Sequence, residues 1–191
     1  MEPRKKLRRY HEPGHLHELT FSCFRRLPLL DSDDRRRNLV RCIDSAGEET
    51  NVKLLAFVFM PEHVHLLVQP DDLNPRLDLY LARIKQPFSE QVHLELAAEN
   101  PELVERLTVQ ERPGKKTFRF WMPGGGYDRN LFTPEAIAAS LHYLHSNPVK
   151  RGLCERSIDW KWSSFRFYAD ANFRPDPDLP RLTSLPMGSL H

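Results

Sequence analysis

Cysteine is scarce in this sequence, and its placement argues against two common structural roles. The 191 residues include 3 cysteines, an odd number, and no pair has the Cys-x-x-Cys spacing of a zinc knuckle. This usage argues against a disulfide framework and favours a cytoplasmic protein. Long apolar runs are also missing, since none approaches the roughly 18 residues of a membrane-spanning helix. The basic start lacks the apolar segment of a signal peptide, so we expect no membrane attachment.

A nucleotide-binding loop and a strong net charge are missing as well. The run Gly124-Gly125-Gly126 lacks the Lys-Ser/Thr pair that completes a phosphate-binding loop, so the sequence does not indicate ATP-driven chemistry. The formal net charge is only +2. Basic residues nevertheless cluster at the amino terminus, at 35–37 and at 150–151. Such clusters suit phosphate backbones, although solvated surfaces are the simpler explanation of any single cluster.

The chain has the length of one domain, and its patterns predict three segments. These are a basic arm over residues 1–13, a folded domain over 14–169, and a proline-rich, loosely ordered tail over 170–191. The pattern of the folded domain predicts strands at 16–24 and 117–121, a hairpin at 51–69, and helices at 32–46, 74–98 and 133–147. This order favours an α+β fold, a ferredoxin-like antiparallel sheet with helices packed on one face.

Glycine and proline positions predict where the helices end. We expect Gly47 to end the first helix, Pro87 to kink or divide the second, and Pro148 to stop the last. Residues 100–113 are acidic and predict a helical surface insertion. Thr133 and Pro134 have the sequence of a helix start, with a hydroxyl cap before a proline at the first helical position.

Two histidines one residue apart, His63 and His65, stand inside an apolar run at residues 57–68. In an extended chain they share one face, while Val64 and Leu66 enter the core on the other. Adjacent imidazoles suggest a metal site, although a strand with two polar residues facing water explains the pattern too. A metal at this position needs at least one further ligand and an open position for substrate.

The helix predicted at 133–147 carries two further candidates. Tyr143 and Asn147 lie one turn apart, beside the apolar stripe that Ile137 and Leu141 begin. A phenol and an amide could thus be presented to one metal-bound substrate. Alternatively, Tyr143 is an aromatic at the edge of the core and Asn147 is a helix cap before proline.

Two blocks of the sequence carry a family resemblance. Residues 59–68, Phe-Met-Pro-Glu-His-Val-His-Leu-Leu-Val, resemble the His-hydrophobe-His (HUH) signature of the single-strand-specific tyrosine transposases associated with repetitive extragenic palindromes (REP). Residues 142–153, with Asp-Trp-Lys-Trp-Ser-Ser-Phe at 159–165, are similar to the tyrosine helix of these proteins and the stretch after it. Residues 121–123 and 127–129 resemble their connecting motif. The similarity follows the family's order over residues 15–168.

The resemblance implies an HUH nuclease fold and a set of site residues. His63 and His65 would be metal ligands, Tyr143 the nucleophile, and Asn147 a third ligand where some relatives carry glutamine. The implied metal is Mg²⁺ or Mn²⁺, with which a neutral amide oxygen is compatible. The implied reaction is cleavage and rejoining of single-stranded DNA near hairpins through a 5′-phosphotyrosine intermediate.

The implied partner is single-stranded DNA with hairpin elements, in the cytoplasm and at the nucleoid, and we also consider a homodimer. The side chains expected to contact DNA are all basic: Arg4, Lys5, Lys6, Arg8, Arg9, Arg129, Lys150 and Arg151. Two other functions stay open. One is a non-catalytic DNA-hairpin-binding protein derived from a transposase, and the other is a metal-dependent hydrolase that uses the histidine pair and Glu62.

A second histidine pair has the same spacing and competes for the metal site. His15 and His17 are preceded by His11 and lie at the entrance of the first predicted strand. They fall outside the apolar hairpin and outside the block that carries the resemblance. We therefore interpret them as surface or DNA-facing histidines.

Overall fold

A computed structural model describes residues 15–71, 75–170 and 172–185. The strands in chain order are β1 (Leu16–Ser22), β2 (Val52–Phe59), β3 (His63–Pro70), β4 (Thr108–Arg112), β5 (Lys115–Phe118) and β6 (Tyr127–Leu131). The helices are α1 (Asp33–Thr50), α2 (Leu77–Glu99), α3 (Pro101–Leu107), α4 (Pro134–Lys150) and α5 (Phe165–Ala169). The basic residues predicted in the arm lie outside the described residues: Arg4, Lys5, Lys6, Arg8 and Arg9.

An antiparallel four-stranded sheet forms the centre of the fold, in the order β2-β3-β1-β6. The predicted α+β class with a ferredoxin-like antiparallel sheet is confirmed, but the helices pack on both faces of the sheet rather than on one. α1 and α2 share one face of the sheet, where Phe21, Phe57 and Tyr80 belong to the larger core. α4 covers the other face, where Leu67 and Leu144 belong to a second core. β3 is an inner strand, so the histidine pair lies centrally beneath α4.

α1 begins as its sequence predicts but extends past Gly47. The Ser32 hydroxyl accepts a hydrogen bond from the Arg35 backbone N–H at 3.3 Å and caps the first turn. The helix ends at Asn51, which has the left-handed φ of 52°. Gly47 serves close packing instead, since a Cβ there would lie 2.9 Å from the carbonyl oxygen of Val52. The prediction that Gly47 ends the helix is therefore wrong.

Pro87 does not divide α2, and Pro148 does not stop α4, contrary to the predictions from the sequence. α2 continues through Pro87, because its buried side chains, among them Ile84 and Phe88, hold the segment against α1 and the sheet. α4 continues through Pro148, which lies in the last turn. α4 ends at Lys150, and Gly152 follows two residues later with a left-handed φ of 67°. There the Leu153 N–H donates to the Pro148 carbonyl at 2.9 Å, the bond of a glycine-terminated helix end.

The sheet contains a strand that the sequence did not predict. β6 is polar in sequence, but its residues pair with β1 along the whole strand. The segment expected to be a helical insertion divides into α3 and the hairpin β4–β5. The strand expected at 117–121 is β5, which ends at Phe118, and beyond it Trp121 makes a single bridge to Cys23.

Residues 172–185 differ from the loosely ordered tail that we expected over 170–191, and residues 171 and 186–191 of that tail lie outside the described residues. Asp178 accepts hydrogen bonds from Arg37 at 2.9 Å and from Lys161 at 2.6 Å. These two cations hold the pKa of Asp178 down, at about 2. Leu179 is buried, and the Thr183 N–H donates to the Leu54 carbonyl at 2.8 Å. The structure instead fixes this segment to α1 and to the edge strand β2.

Over the described ranges, no helix has both the length and the apolar character that crossing a membrane requires.

Candidate active site

The two histidines of β3 lie on one face, as the alternation predicted. Val64 and Leu66 enter the larger core on the opposite face. The His63 and His65 rings are nearly perpendicular, at 82°, and their centroids are 4.7 Å apart. Two imidazoles at this separation can reach one ion.

His65 is buried and oriented by its cross-strand neighbour. Thr20 lies opposite His65 in the register of β1 and β3, and its Oγ1 is 2.7 Å from His65 Nδ1. The other ring nitrogen, Nε2, is buried without a hydrogen-bond partner among the described residues. Burial lowers the pKa of His65 to about 3, and nearby His63 adds to this effect. At neutral pH, His65 is thus an uncharged imidazole with an unused nitrogen.

His63 is oriented by the residue before it. Its Nδ1 is 3.3 Å from Glu62 Oε1, and the same carboxylate oxygen accepts a bond from Arg151 Nη2 at 2.7 Å. Burial lowers the pKa of His63, although the Glu62 carboxylate acts in the opposite direction. An acceptor at Nδ1 favours the tautomer whose Nε2 carries the lone pair. Both histidines therefore have an oxygen at Nδ1, the arrangement that orients imidazoles for metal binding at Nε2.

α4 brings Tyr143 to the histidine pair. The Thr133 hydroxyl accepts a bond from the Ala136 N–H at 3.2 Å, which starts the helix as predicted. The Tyr143 ring centroid is 5.8 Å from that of His65, with the rings perpendicular. Its side chain is 47 % exposed, and Lys150 Nζ lies 5.2 Å from the ring centroid. The phenol is thus accessible, close to the imidazoles and next to a positive charge.

Asn147 is buried on the same side of α4, and its Nδ2 donates to the Tyr143 carbonyl at 3.2 Å. Tyr143, Asn147 and Arg151 are four residues apart, so they share one helix face. Asn147 therefore lies on the helix face between Tyr143, which contacts His65, and Arg151, which bonds to Glu62, and its role as a metal ligand stays a prediction. Among the described residues, no three His, Cys, Asp or Glu side chains are grouped to hold a metal. The donors fit a divalent cation held by two imidazoles with an amide oxygen as the available third ligand.

His145 anchors the tyrosine helix to the sheet. Its Nε2 lies 2.8 Å from Ser164 Oγ, and that hydroxyl accepts from the Phe57 N–H at 2.9 Å and donates to the Phe57 carbonyl at 3.2 Å. Burial lowers the pKa of His145 to about 4. A neutral imidazole thus connects α4, β2 and the segment after α4.

The second histidine pair lies away from this site. His17 Nδ1 is 2.9 Å from Asp128 Oδ1, and His15 Nδ1 is 3.0 Å from Asn130 Nδ2. His17 is only 3 % exposed, so its interpretation as a surface histidine is wrong. Because Glu18 and Thr20 point toward α4, His17 points to the opposite face of the sheet. β6 supplies the polar partners that make its burial tolerable.

The basic residues predicted to contact DNA divide into two groups. The arm lies outside the described residues, while Arg129, Lys150 and Arg151 surround the site. Arg129 Nη1 is 4.0 Å from Glu18 Oε2, and Arg151 is engaged by Glu62. Their roles in DNA binding stay predictions.

Several residues of the site were not predicted from the sequence. Thr20 supports His65, Arg151 bonds to Glu62 in addition to its predicted role, and Ser140 donates to Glu18 at 3.0 Å. The sequence pattern identifies Thr20 only as an alternate residue of a strand. Its partner is set by strand register, which a single sequence does not reveal.

Two comparisons find known proteins that are similar to this chain, and no protein-family model matches it. The chain is 29 % identical over 130 residues to a Haemophilus influenzae protein named "Putative REP-associated tyrosine transposase", covering 65 % of this chain and 68 % of that one. The solved structure of a REP-associated tyrosine transposase bound to a REP hairpin superposes with a TM-score of 0.68 at 20 % identity. That match covers 93 % of this chain and 92 % of the other. The expected HUH nuclease fold and the resemblance found in the sequence are therefore confirmed: the chain is similar in sequence and in fold to REP-associated tyrosine transposases.

Proposed function

We propose that this protein cleaves and rejoins single-stranded DNA next to hairpins, with Tyr143 as nucleophile and a divalent metal held by His63 and His65. The observation that carries the proposal is the juxtaposition of an exposed phenol with two neutral imidazoles whose Nδ1 atoms both meet an oxygen. Burial keeps these imidazoles uncharged, which is the state that binds metals.

The chemistry assigned to the chain is a transesterification at phosphorus. The Tyr143 oxygen bonds to the scissile phosphorus, the bond from phosphorus to the 3′ oxygen breaks, and the phenolic proton passes to solvent while the 3′ oxygen gains one. His63 and His65 would hold the divalent cation, which would supply stabilisation of the negative charge that develops on the phosphate. Rejoining is the reverse attack by a 3′ hydroxyl on the phosphotyrosine. The phosphotyrosine link conserves the free energy of the cleaved phosphodiester bond, so no nucleoside triphosphate is consumed.

The surroundings of Tyr143 suit a phosphodiester. Lys150 lies above the phenol ring, and Arg151 is half exposed at the end of the same helix. Positive charge attracts the DNA backbone and stabilises the extra negative charge of the transition state. The hairpin in the related solved structure suggests the same class of DNA for this chain. A single-stranded target is expected because a regular duplex leaves little room for a phenol to approach one phosphate in line.

The two alternative functions receive less support from the geometry. A hydrolase would use Glu62 as its general base, but Arg151 and His63 already engage that carboxylate. A protein that only binds hairpins would not require two neutral imidazoles, oriented for metal binding, beside an exposed phenol. Covalent trapping separates the proposed function from both.

The experiment is incubation with a library of single-stranded hairpin oligonucleotides in the presence of Mn²⁺. Covalent protein–DNA adducts that resist denaturing electrophoresis are the expected product. Tyr143→Phe removes only the hydroxyl and should abolish the adducts. Tyr168→Phe is a matched control, since it also removes a single phenol hydroxyl, at a tyrosine that donates to the Leu55 carbonyl at 2.7 Å. Equal adduct yields from wild type and Tyr143→Phe contradict the assignment.

A further inference from the structure

A cavity of about 530 Å³ opens beside the phenol of Tyr143, between α4 and the sheet. Its lining includes Glu18 and Arg129 from the sheet and Ser140 from the helix. The metal ligands and the nucleophile explain only one edge of this space. The remainder has the size of a small-molecule site and enough room for one nucleotide base.

Strand register and small helix residues create the cavity. Glu18 lies opposite Arg129, and Thr20 lies opposite Tyr127, so four side chains form a polar patch on the face below α4. Above this patch α4 presents the small residues Ala139 and Ser140. The helix therefore leaves a gap where larger side chains would close it. The gap lies next to the place where the scissile phosphate must sit.

Glu18 is the unusual residue in this cavity. It is only 5 % exposed, and one of its oxygens, Oε2, accepts from Ser140 at 3.0 Å and lies 4.0 Å from Arg129. A carboxylate has about four lone-pair positions, so acceptor capacity is left for a ligand. Burial of this carboxylate is tolerated because Ser140 and Arg129 lie at Oε2, and the carboxylate forms part of the wall of a cavity beside Tyr143.

We propose that this cavity binds the base of a nucleotide that flanks the scissile phosphate, and that Glu18 selects guanine. The inference rests on the proposed function, since it takes Tyr143 as the point of attack. Tyr127 is 51 % exposed at the mouth of the cavity and offers its ring for stacking. Arg129 is half exposed and is placed to meet the neighbouring phosphate.

The preference for guanine follows from its hydrogen-bonding edge. Guanine presents two adjacent donors, N1–H and the 2-amino group, which a carboxylate can accept together. Adenine and cytosine each present an amino donor next to a ring-nitrogen acceptor, and that acceptor would face the negative oxygen. Thymine presents one donor between two carbonyls. A good bidentate contact to a base gives on the order of 10-fold discrimination or more.

In the experiment, the protein reacts with a library of hairpins whose flanking bases are randomised. The DNA in the covalent adducts is then sequenced. Wild type should enrich guanine at one position next to the covalent bond by at least about 10-fold. Glu18→Gln can keep the bond to Ser140, but it replaces two acceptor oxygens with one acceptor oxygen and one donor NH₂ group. Because adenine presents an amino donor next to a ring-nitrogen acceptor, the enriched base should change from guanine toward adenine. Glu105→Gln, a change at an exposed carboxylate on α3, should leave the preference unchanged. No base preference in wild type, or unchanged guanine enrichment in Glu18→Gln, overturns the proposal.

A binding measurement without catalysis keeps the two proposals separable. Tyr143→Phe protein should bind an oligothymidylate of about ten nucleotides more tightly when one central base is guanine, and adding Glu18→Gln or Tyr127→Ala should remove that gain. Guanine selectivity without adducts in wild type rejects the nucleophile and keeps the pocket. Adducts without guanine selectivity reject the pocket and keep the nucleophile. Melting curves of each variant identify any that fail to fold, and for those the remaining variant decides.

Discussion

His65 and His145 are both held uncharged in the folded protein because burial disfavours the imidazolium. Burial lowers the pKa of His65 to about 3 and that of His145 to about 4. In the unfolded chain both take up protons near pH 6.5. Between these values the unfolded state binds more protons, so the free energy of unfolding should decrease as the pH falls from about 6.5 toward 4.

The expected slope is up to about 1.4 kcal/mol per pH unit for each histidine. Urea unfolding of metal-free protein at several pH values measures it. His145→Gln should weaken the link to Ser164 and lower the free energy of unfolding at pH 7. It should also remove the contribution of one histidine to the slope of that free energy against pH. A stability that stays constant between pH 6.5 and 4.5 contradicts the neutral state of these histidines.

Metal binding should depend on His63 and His65 and on the hydroxyl that orients His65. Calorimetric titration with Mn²⁺ should show one site, and His65→Ala should abolish it. Thr20→Val keeps the shape of the side chain but removes the 2.7 Å contact to Nδ1. Its affinity should fall by about 10- to 100-fold, as is usual for partners of metal-bound histidines.

The control variants for this titration are His142→Ala, which changes an exposed histidine next to Tyr143, and His15→Ala, which changes the competing pair. Both should bind Mn²⁺ as wild type does. If His15→Ala abolished binding and His65→Ala did not, the metal site would lie at the other histidine pair.

At the level of elements, the site depends on how α4 is held against the β2–β3 turn. Arg151 Nη2 bonds to Glu62 Oε1 at 2.7 Å, and Glu62 in turn contacts His63. Arg151→Ala should cost less than about 1 kcal/mol of unfolding free energy, because the pair is partly exposed. Adduct formation should nevertheless slow by about 10-fold, since small displacements of positioned groups reduce rates strongly.

Arg156→Ala is the matched control for this prediction. Arg156 pairs with Asp159 at the surface, so its loss should change neither stability nor adduct rate. An unchanged adduct rate in Arg151→Ala would show that this ion pair does not position the helix.

Strong local patterns predicted the elements that carry the site. Alternation placed both histidines on one face of β3, and the cap at Thr133 located the start of α4. β6 was missed because its polar residues lack alternation with apolar ones. The strand is held by pairing with β1, and Asp128 on it meets the distant His17. Contacts of this kind depend on tertiary structure rather than on local sequence.

The helix ends and the residues that support the site could not be predicted from the sequence, for related reasons. Gly47 and Pro148 carry the usual signals of a helix end, but packing against β2 and the glycine at 152 decide the outcome. The resemblance named His63, His65 and Tyr143, while Thr20 and Glu18 became visible only through strand register.

At the scale of the whole molecule, substrate choice should follow from the accessible phenol and the basic surfaces. Single-stranded DNA with a hairpin should bind more tightly than a blunt duplex of equal length at fixed salt. Replacing Arg4, Lys5 and Lys6 by glutamine should weaken binding uniformly across sequences. The slope of log affinity against log salt should decrease by up to about one unit for each phosphate that the variant no longer neutralises.

The arm variant should still form adducts at saturating DNA, because Tyr143 and the histidine pair are unchanged. Fluorescence anisotropy over a salt series gives both the affinity and the slope. Equal affinity for the duplex and the hairpin strand would contradict the single-strand specificity.

The most direct measurement is the mass of the tryptic peptide that carries DNA after wild-type protein has reacted with the hairpin library and nuclease has trimmed the adduct. A nucleotide bound through a 5′ phosphate to Tyr143 is the predicted result, because this exposed phenol lies beside the metal-ready imidazoles. A nucleotide on another residue, or a cleaved strand with no nucleotide on the protein, would contradict Tyr143 as the nucleophile.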